Sequence, residues 1–201
     1  MKADFEQLHA AFPGVEWSEN PSPSGQHSVV VGCADAVAAA EFLRDRLGYD
    51  FCSNVSGVDW PPRKVKETVV RKDVTDGVEK EIKETIERDV PGYLEAVYHL
   101  YSIGGRKGPL VLRMRTADRA EGARVPSLTP VWKSADFQER EAYDLFGITF
   151  DGHPDLRRIL MWDEFEDFPM RKDYVAPDDY EYEPTPHDEI LEKVRGGKEA
   201  A

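Results

Sequence analysis

One short stretch, residues 136–162, concentrates the side chains of this sequence that could do chemistry. It reads DFQEREAYDLFGITFDGHPDLRRILMW. Its carboxylates (Glu139, Glu141 and Asp144) could form an acid–base pair, with His153 as a further acid or base. A metal site would want a second histidine at ligand spacing, and the others are scattered at positions 9, 27, 99 and 187. No nucleophile elbow or glycine-rich phosphate loop accompanies these residues, so a structural or interface role is favoured over catalysis.

The charges of this stretch predict a network of ion pairs. Opposite charges this dense cost several kcal/mol each if they are buried without a partner. Arginine suits such burial because its planar guanidinium can bind a carboxylate through two hydrogen bonds. We expect the charged residues of the first half to pair with Arg157, with Arg158 or with a second chain; they are Glu139, Arg140, Glu141 and Asp144.

A short helix is predicted to carry most of these residues. Asp136 followed three positions later by Glu139 resembles a capping box, and Gly147 is a natural helix stop. The helix has bulky apolar groups on more than one face, which a lone surface helix does not need. We therefore expect one face to meet a sheet, the other to meet something further away, and three aromatic residues to anchor the helix by burial: Phe137, Tyr143 and Phe146.

The segment after this helix is predicted to be extended. "ITF" reads as a short strand and Asp151–Gly152 as a turn. Pro154 keeps His153 out of helical geometry. We expect His153 to satisfy a buried hydrogen bond rather than to titrate for function.

Residues 1–130 are predicted to form an α+β domain. Helices are expected at 4–12 and 35–48, and strands at 27–32 and 49–60. Two further strands flank the loop "GGRKG", because apolar residues alternate on both sides of it. They are Leu94, Ala96, Tyr98 and Leu100, then Leu110, Leu112 and Met114. This order predicts a mixed, largely antiparallel sheet with helices packed on it, followed by an extended C-terminal tail.

Two segments stand apart from this domain. Residues 63–90 are a charged insertion, and its Asp76–Gly77 pair favours a projecting β-ribbon over a helical stripe. Two interpretations are open for this insertion: a solvent-exposed segment without chemistry, and a segment that contacts a partner protein. From residue 175 the sequence is acidic and interrupted by prolines, with a candidate helix at 186–195, and such tails commonly run over a surface.

Composition excludes several kinds of partner. Twenty-six basic and thirty-nine acidic residues give a net charge of −13, so nucleic-acid phosphates and anionic lipids are poor partners. No run approaches the roughly 20 apolar residues that span a bilayer, so membrane association is expected only through other proteins. The two cysteines, Cys33 and Cys52, are expected to be buried thiols in a reducing compartment.

The signature "EREAYDLFGITFDGHPDLRRIL" resembles that of the 30 kDa subunit of respiratory complex I, the proton-translocating NADH:quinone oxidoreductase. The later "FPMRKDY" resembles that family's Pro-Leu-Arg-Lys-Asp-Tyr-Pro block, with Met170 in place of leucine and Val175 in place of the final proline. The motif region covers roughly residues 131–174, and the resemblance implies that these residues form a docking segment. The insertion at 63–90 is longer than the family pattern.

The resemblance implies a non-catalytic subunit that braces the large quinone-site subunit (49 kDa type) and helps to assemble the electron-transfer arm. FMN, iron–sulfur clusters and quinone would then lie on neighbouring subunits, and the chain would sit at the cytoplasmic side of the cell inner membrane. An equivalent subunit of an energy-converting membrane hydrogenase or a ferredoxin-fed dehydrogenase shares the motif. The predicted docking residues are Phe137, Glu139, Arg140, Glu141, Tyr143, Asp144, Phe146, His153, Arg157, Arg158, Arg171, Lys172, Asp173 and Tyr174.

Overall fold

The structure is a computed structural model that describes residues 2–17, 28–75 and 78–175, with the backbone alone for 67–75 and 78–84. A 3₁₀ turn (Lys133–Ala135) precedes the last helix. The helices and strands, in chain order, are α1 (Lys2–Ala11), β1 (Glu16–Trp17), β2 (Ser28–Val31), α2 (Ala36–Asp45), β3 (Phe51–Trp60), β4 (Arg63–Thr75), β5 (Val78–Val90), β6 (Tyr93–Ser102), β7 (Lys107–Arg115), β8 (Arg124–Pro126), α3 (Asp136–Phe146) and β9 (Thr149–Asp151).

The main sheet has five strands in the order β1-β2-β7-β6-β3. β2 and β7 are parallel and the other neighbours are antiparallel, which confirms the predicted mixed, largely antiparallel α+β fold. All the alternating apolar residues of β6 and β7 are buried, as predicted. They pack in one core with α2, which contributes Ala36, Ala39, Ala40 and Leu43.

The insertion is a two-stranded ribbon of β4 and β5, each 13 residues long, and it forms a sheet of its own. The ribbon prediction is confirmed, although the Asp76–Gly77 turn lies outside the described residues. Trp60 pairs with Tyr93 and Arg63 with Val90, so the ribbon keeps the register of the β3–β6 pair. The hydrogen-bond ladder breaks between them because prolines have no N–H to donate; these are Pro61, Pro62 and Pro91.

The region around α3 follows the prediction in outline. The helix ends at Gly147, whose left-handed φ of 73° is the backbone conformation that glycine adopts most easily. The capping box is wrong, because Ala135 is the N-cap residue and no side chain caps the helix. The predicted strand β9 pairs with β8, a three-residue strand that the sequence did not predict.

The cysteine prediction is half right. Cys52 is buried and Cys33 is exposed, with its Sγ donating to the carbonyl of Arg115 at 3.4 Å. In the ranges 2–17, 28–75 and 78–175 no helix is long and apolar enough to cross a membrane. The candidate helix at 186–195 and the rest of the tail from residue 176 lie outside the described residues.

Candidate functional site

Residues 152–175, which we call the strap, follow β9 without any helix or strand and lie along α3. At one end, His153 Nε2 donates to the carbonyl of Asp136, the first residue of α3, at 3.1 Å. At the other end, Arg171 Nε donates to the carbonyl of Phe146, the last residue of α3, at 2.7 Å. Both ends of this irregular segment are therefore fixed to the two ends of one helix.

Asp144 of α3 holds the middle of the strap. Its buried carboxylate accepts three consecutive backbone N–H groups at 2.7–2.9 Å, from residues 159–161. It also accepts a hydrogen bond of 2.7 Å from Arg158 Nη1, which confirms the predicted ion pair. Burial raises the pKa of Asp144, but the backbone donors and Arg158 outweigh it and hold the pKa below its usual range. The carboxylate is therefore charged and replaces the backbone partners that a strand would supply.

Asp59 of β3 holds the last part of the strap. Its buried carboxylate receives two hydrogen bonds from Arg119, at 2.6 and 2.7 Å, and one from the N–H of Lys172 at 2.8 Å. Arg119 also pairs with Asp173 at 3.0 Å. Burial raises the pKa of Asp59, but the hydrogen bonds from Arg119 and Lys172 outweigh it and leave the pKa lowered. The sequence prediction missed this residue.

A signal for Asp59 was nevertheless present in the sequence. The residue lies opposite Leu94 in the β3–β6 pair, on the face of the sheet that forms the core. An acid at a core-facing position requires a buried partner. The identity of that partner, Arg119, carried no comparable signal because it lies 60 residues further along the chain.

Glu139 is fully buried but does not form the predicted ion pair with Arg157 or Arg158. It accepts hydrogen bonds from Tyr98 Oη at 2.9 Å, from Ser127 Oγ at 2.6 Å and from the N–H of Leu128 at 2.8 Å. Burial raises the pKa of Glu139, and these three donors oppose that rise only in part. The side chain therefore ties α3 to the sheet and to the loop after β8, out of reach of a substrate.

Arg140 contacts the strap in a different way from that predicted. Its Nε donates to the carbonyl of Arg157 at 3.2 Å, and its Nη1 lies 3.9 Å from Asp155 Oδ2. Its guanidinium also lies over the ring of Phe137, 5.2 Å from the centroid. Arg157 itself points outward and pairs with Asp155 at 2.9 Å. The side chain of Arg140 thus fixes the backbone of the strap near Arg157, whereas the side chain of Arg157 forms a surface ion pair.

The side chain of His153 is completely buried, as predicted. Its Nε2 donates to the carbonyl of Asp136, and its Nδ1 accepts the N–H of Asp155 at 3.1 Å. This pattern requires a neutral ring with its proton on Nε2. Both ring nitrogens are occupied, so His153 has no free atom for acid–base chemistry. In the described part of the chain, no group of three His, Cys, Asp or Glu residues is placed to hold a metal ion.

The remaining predicted docking residues divide into exposed and partly buried groups. Tyr143 and Phe146 pack against the core as expected. Phe137 is 66% exposed in this chain, so its burial, which would have to come from a second chain, stays a prediction. Glu141, Lys172 and Asp173 are exposed, and Arg171 and Tyr174 are partly buried. The large exposed apolar side chains of α3 and the central strap are Phe137, Leu160, Trp162 and Met170.

Comparison with known proteins agrees with the fold and the signature. The model of the family "Respiratory-chain NADH dehydrogenase, 30 Kd subunit" matches residues 29–180. The chain therefore belongs to the family of the 30 kDa subunit of respiratory-chain NADH dehydrogenase.

Two relatives illustrate the similarity. The C 2 subunit of the NADH-quinone oxidoreductase of Rhizobium meliloti (strain 1021) is 37% identical over 153 residues, which cover 75% of this chain and 66% of that protein. The chloroplastic J subunit of the NAD(P)H-quinone oxidoreductase of Ceratophyllum demersum is 50% identical over 91 residues, 45% of this chain and 58% of that protein. This chain thus spans less than two thirds of the length of these relatives.

A solved structure extends the likeness in fold. A chain in the structure of the membrane-bound sulfane sulfur reductase, an archaeal respiratory membrane complex, superposes with a TM-score of 0.60. The match covers 96% of this chain and 91% of that one, at 17% sequence identity. At that identity, the likeness concerns the fold alone.

Proposed function

We propose that this chain is a non-catalytic subunit in the peripheral arm of a proton-translocating NADH:quinone oxidoreductase. There it braces the large quinone-site subunit (49 kDa type) and helps to assemble the electron-transfer arm. The names of its relatives, which are the C-type and J-type subunits of quinone oxidoreductases, support the choice of complex. FMN, iron–sulfur clusters and quinone belong to neighbouring subunits, and the chain reaches the cytoplasmic side of the inner membrane through the complex.

One observation carries the bracing role. Asp144 and Asp59 fix a strap that has no secondary structure of its own, and that strap exposes Leu160, Trp162 and Met170 by 49–57% each. Large apolar side chains exposed within one segment are a feature of protein contact sites. Because the strap is already ordered, a partner that covers it loses little conformational entropy on binding. An ordered irregular segment with outward apolar groups is what a docking element requires.

The charged groups of the signature support a non-catalytic assignment. The buried carboxylates of Glu139 and Asp144 accept three and four hydrogen bonds respectively. His153 uses both ring nitrogens to hold the strap. The carboxylates and the imidazole that could have formed an acid–base centre thus maintain the structure.

A second candidate is the equivalent subunit of an energy-converting membrane hydrogenase or a ferredoxin-fed dehydrogenase. The same fold occurs in a chain of an archaeal respiratory membrane complex, so the fold is compatible with this second candidate. The names of the sequence relatives favour the quinone oxidoreductase, so we place it first.

The test is a pull-down of the tagged chain from native membranes solubilised in a mild detergent, followed by mass spectrometry. We expect flavin-bearing and cluster-bearing subunits to be recovered together with large membrane subunits. Recovery of hydrogenase-type subunits would favour the second candidate. Recovery of the chain alone would contradict both.

A further inference from the structure

Of the charged residues in the Glu139–Arg140–Glu141 triplet, Glu141 is the one without a partner among the residues that the structure describes. Glu139 and Arg140 are buried and hold the sheet and the strap. Glu141 is exposed on α3 and makes no hydrogen bond or ion pair with any residue that the structure describes. It lies one helical turn from both Phe137 and Leu145, on the outward side of α3. A carboxylate at this position is available to a second molecule.

Beside Glu141 lies a pocket of about 250 Å³ between β3 and α3. Beside Glu141, the helix and the strap line it with apolar side chains, of which Leu145 and Phe146 are partly buried and Met170 is 56% exposed. Among the described residues that line it, Glu141 is the only charged one; the others are Asn54, Val55, Ser56, Gly57, Ala142, Leu145, Phe146 and Met170.

The pocket is held open by contacts that do not depend on a partner. The N–H of Val55, a lining residue, donates to Gln138 Oε1, which ties β3 to α3. The N–H of Met170 donates to the carbonyl of Leu145 at 3.1 Å, which fixes the strap wall. Phe146 lies so close to Gly57 that a Cβ there would be 2.4 Å from its ring. A ligand would therefore enter a space that already exists, with little cost of rearrangement.

We propose that this pocket receives an aliphatic side chain of the partner subunit, and that Glu141 pairs with a lysine or arginine beside that side chain. Charge complementarity selects this occupant. The chain carries a net charge of −13, and Glu141 is the one charged group that the described residues contribute to the pocket lining. An acidic segment is therefore repelled and a cationic one is attracted. The proposal rests on the proposed function and specifies the chemistry of the partner's contact segment.

The test is a competition for incorporation into the complex. Cells produce the untagged wild-type chain together with a variant chain, the complex is purified through another subunit, and mass spectrometry measures the ratio of the two chains. We expect Glu141→Lys to be incorporated at least about tenfold less than the wild type, because the cation of the partner then faces a like charge. Glu141→Gln, which keeps the shape and removes the charge, should fall between them.

The matched control is Glu6→Lys, which makes the same charge change at an exposed position of α1. It should be incorporated like the wild type. Thermal unfolding of each purified variant checks that Glu141→Lys is folded, and Glu141→Gln provides a second reading that cannot disturb packing.

A further variant, Leu160→Asp with Trp162→Asp, separates failure of this proposal from failure of the proposed function. If this variant is excluded while Glu141→Lys and Glu141→Gln are incorporated like the wild type, the pocket proposal is overturned and docking through the strap stands. If all variants are incorporated equally, the docking function itself fails, and the pocket proposal fails with it.

Discussion

The β4–β5 ribbon adjoins the main sheet and the strap follows β9, and the two segments are stabilised in opposite ways. The ribbon satisfies its backbone with a hydrogen-bond ladder between its own two strands. The strap has no ladder, and four of its N–H groups go to the carboxylates of Asp144 and Asp59. A segment without regular structure can therefore be well ordered if buried charges take the place of a neighbouring strand.

The charges of the two regions differ in what they contribute. In the ribbon, Lys66 and Glu87 pair at 3.5 Å with both side chains more than half exposed, and such pairs contribute at most about 1 kcal/mol. In the strap, Asp144 is fully buried and Arg158 nearly so, and removal of one partner leaves the other charge uncompensated. An ion pair of opposite charges thus adds little stability in the ribbon, whereas in the strap it is required to hold the structure.

The largest expected effect is that of Asp144→Ala. This change removes the acceptor of three backbone N–H groups and the partner of Arg158. We expect the free energy of opening of the strap to fall by about 5 kcal/mol, or the strap to detach altogether. Hydrogen exchange at the amides of residues 159–161 measures this. Asp163→Ala, an exposed acid of the same strap, is the control; equal protection in both variants would contradict the role of Asp144.

Arg158→Ala should have the next largest effect. It leaves the carboxylate of Asp144 buried with only backbone donors, at an expected cost of about 3 kcal/mol, and it should reduce the amount of chain that copurifies with its complex. Arg157→Ala is a closely matched control, because the neighbouring arginine has a side chain that is 67% exposed. Denaturant unfolding and copurification should both distinguish the two arginines. If the two variants behave alike, the strap is not held as described.

Two glycines test how tightly the strap is packed against α3. Gly147 and Gly152 both have a positive φ, 73° and 83°, so alanine costs about 1 kcal/mol of backbone strain at either position. At Gly147 a Cβ would also lie 2.6 Å from the ring of Phe168 in the strap, whereas at Gly152 it meets nothing within 4 Å. We expect Gly147→Ala to lower the free energy of unfolding by about 2 kcal/mol more than Gly152→Ala. Equal costs would mean that Phe168 moves away freely.

Acid should loosen the strap. The pKa values of Asp59 and Asp144 are lowered in the folded chain. The contribution of these two carboxylates to the free energy of unfolding is therefore complete above their unfolded-state pKa of about 3.9. It is lost as the pH falls through their pKa values in the folded chain. Glu139 acts in the opposite sense, because its raised pKa favours the folded state at lower pH. Hydrogen exchange at residues 159–161, corrected for its intrinsic pH dependence, should show lost protection below about pH 4. Asp144→Asn should abolish most of that change.

The smallest effect should come from shortening the ribbon. Replacement of residues 66–87 by an Asn-Gly turn keeps the Arg63–Val90 pair next to the sheet. Because the removed part of the ribbon pairs with itself, we expect the free energy of unfolding of the rest of the chain to change by less than about 1 kcal/mol. Denaturant unfolding followed by tryptophan fluorescence measures this. A much larger loss would show that the ribbon supports the sheet.

Much of the fold was predictable because its signals are local. The alternation along β6 and β7, the stop at Gly147 and the hairpin residues of the ribbon each depend on a few neighbouring positions. The role of Asp144 as an ion-pair partner followed from the density of charge around it, but its three backbone contacts did not. Nothing local shows where the main chain of residues 159–161 will lie.

The site was less predictable than the fold because its partners lie far apart in sequence. Asp59 and Arg119 are 60 residues apart, and Tyr98 lies 41 residues from Glu139. Apolar character indicated that Phe137 would anchor α3 by burial, and within this chain the side chain is 66% exposed. The apolar character of a side chain indicates that it is more stable when buried. It does not indicate whether the same chain or another molecule buries it.

Because the ribbon continues the register of the β3–β6 pair, a small change in its direction near the sheet moves its far end by a large distance. Each strand of the ribbon is 13 residues long, which corresponds to a reach of roughly 44 Å at about 3.4 Å per residue. A change in direction of about 10° at the proline break would therefore move the far end by about 8 Å. Small differences in angle at Pro61, Pro62 and Pro91 thus become large differences in where the outer part of the ribbon can touch, without any change in the sheet that carries it.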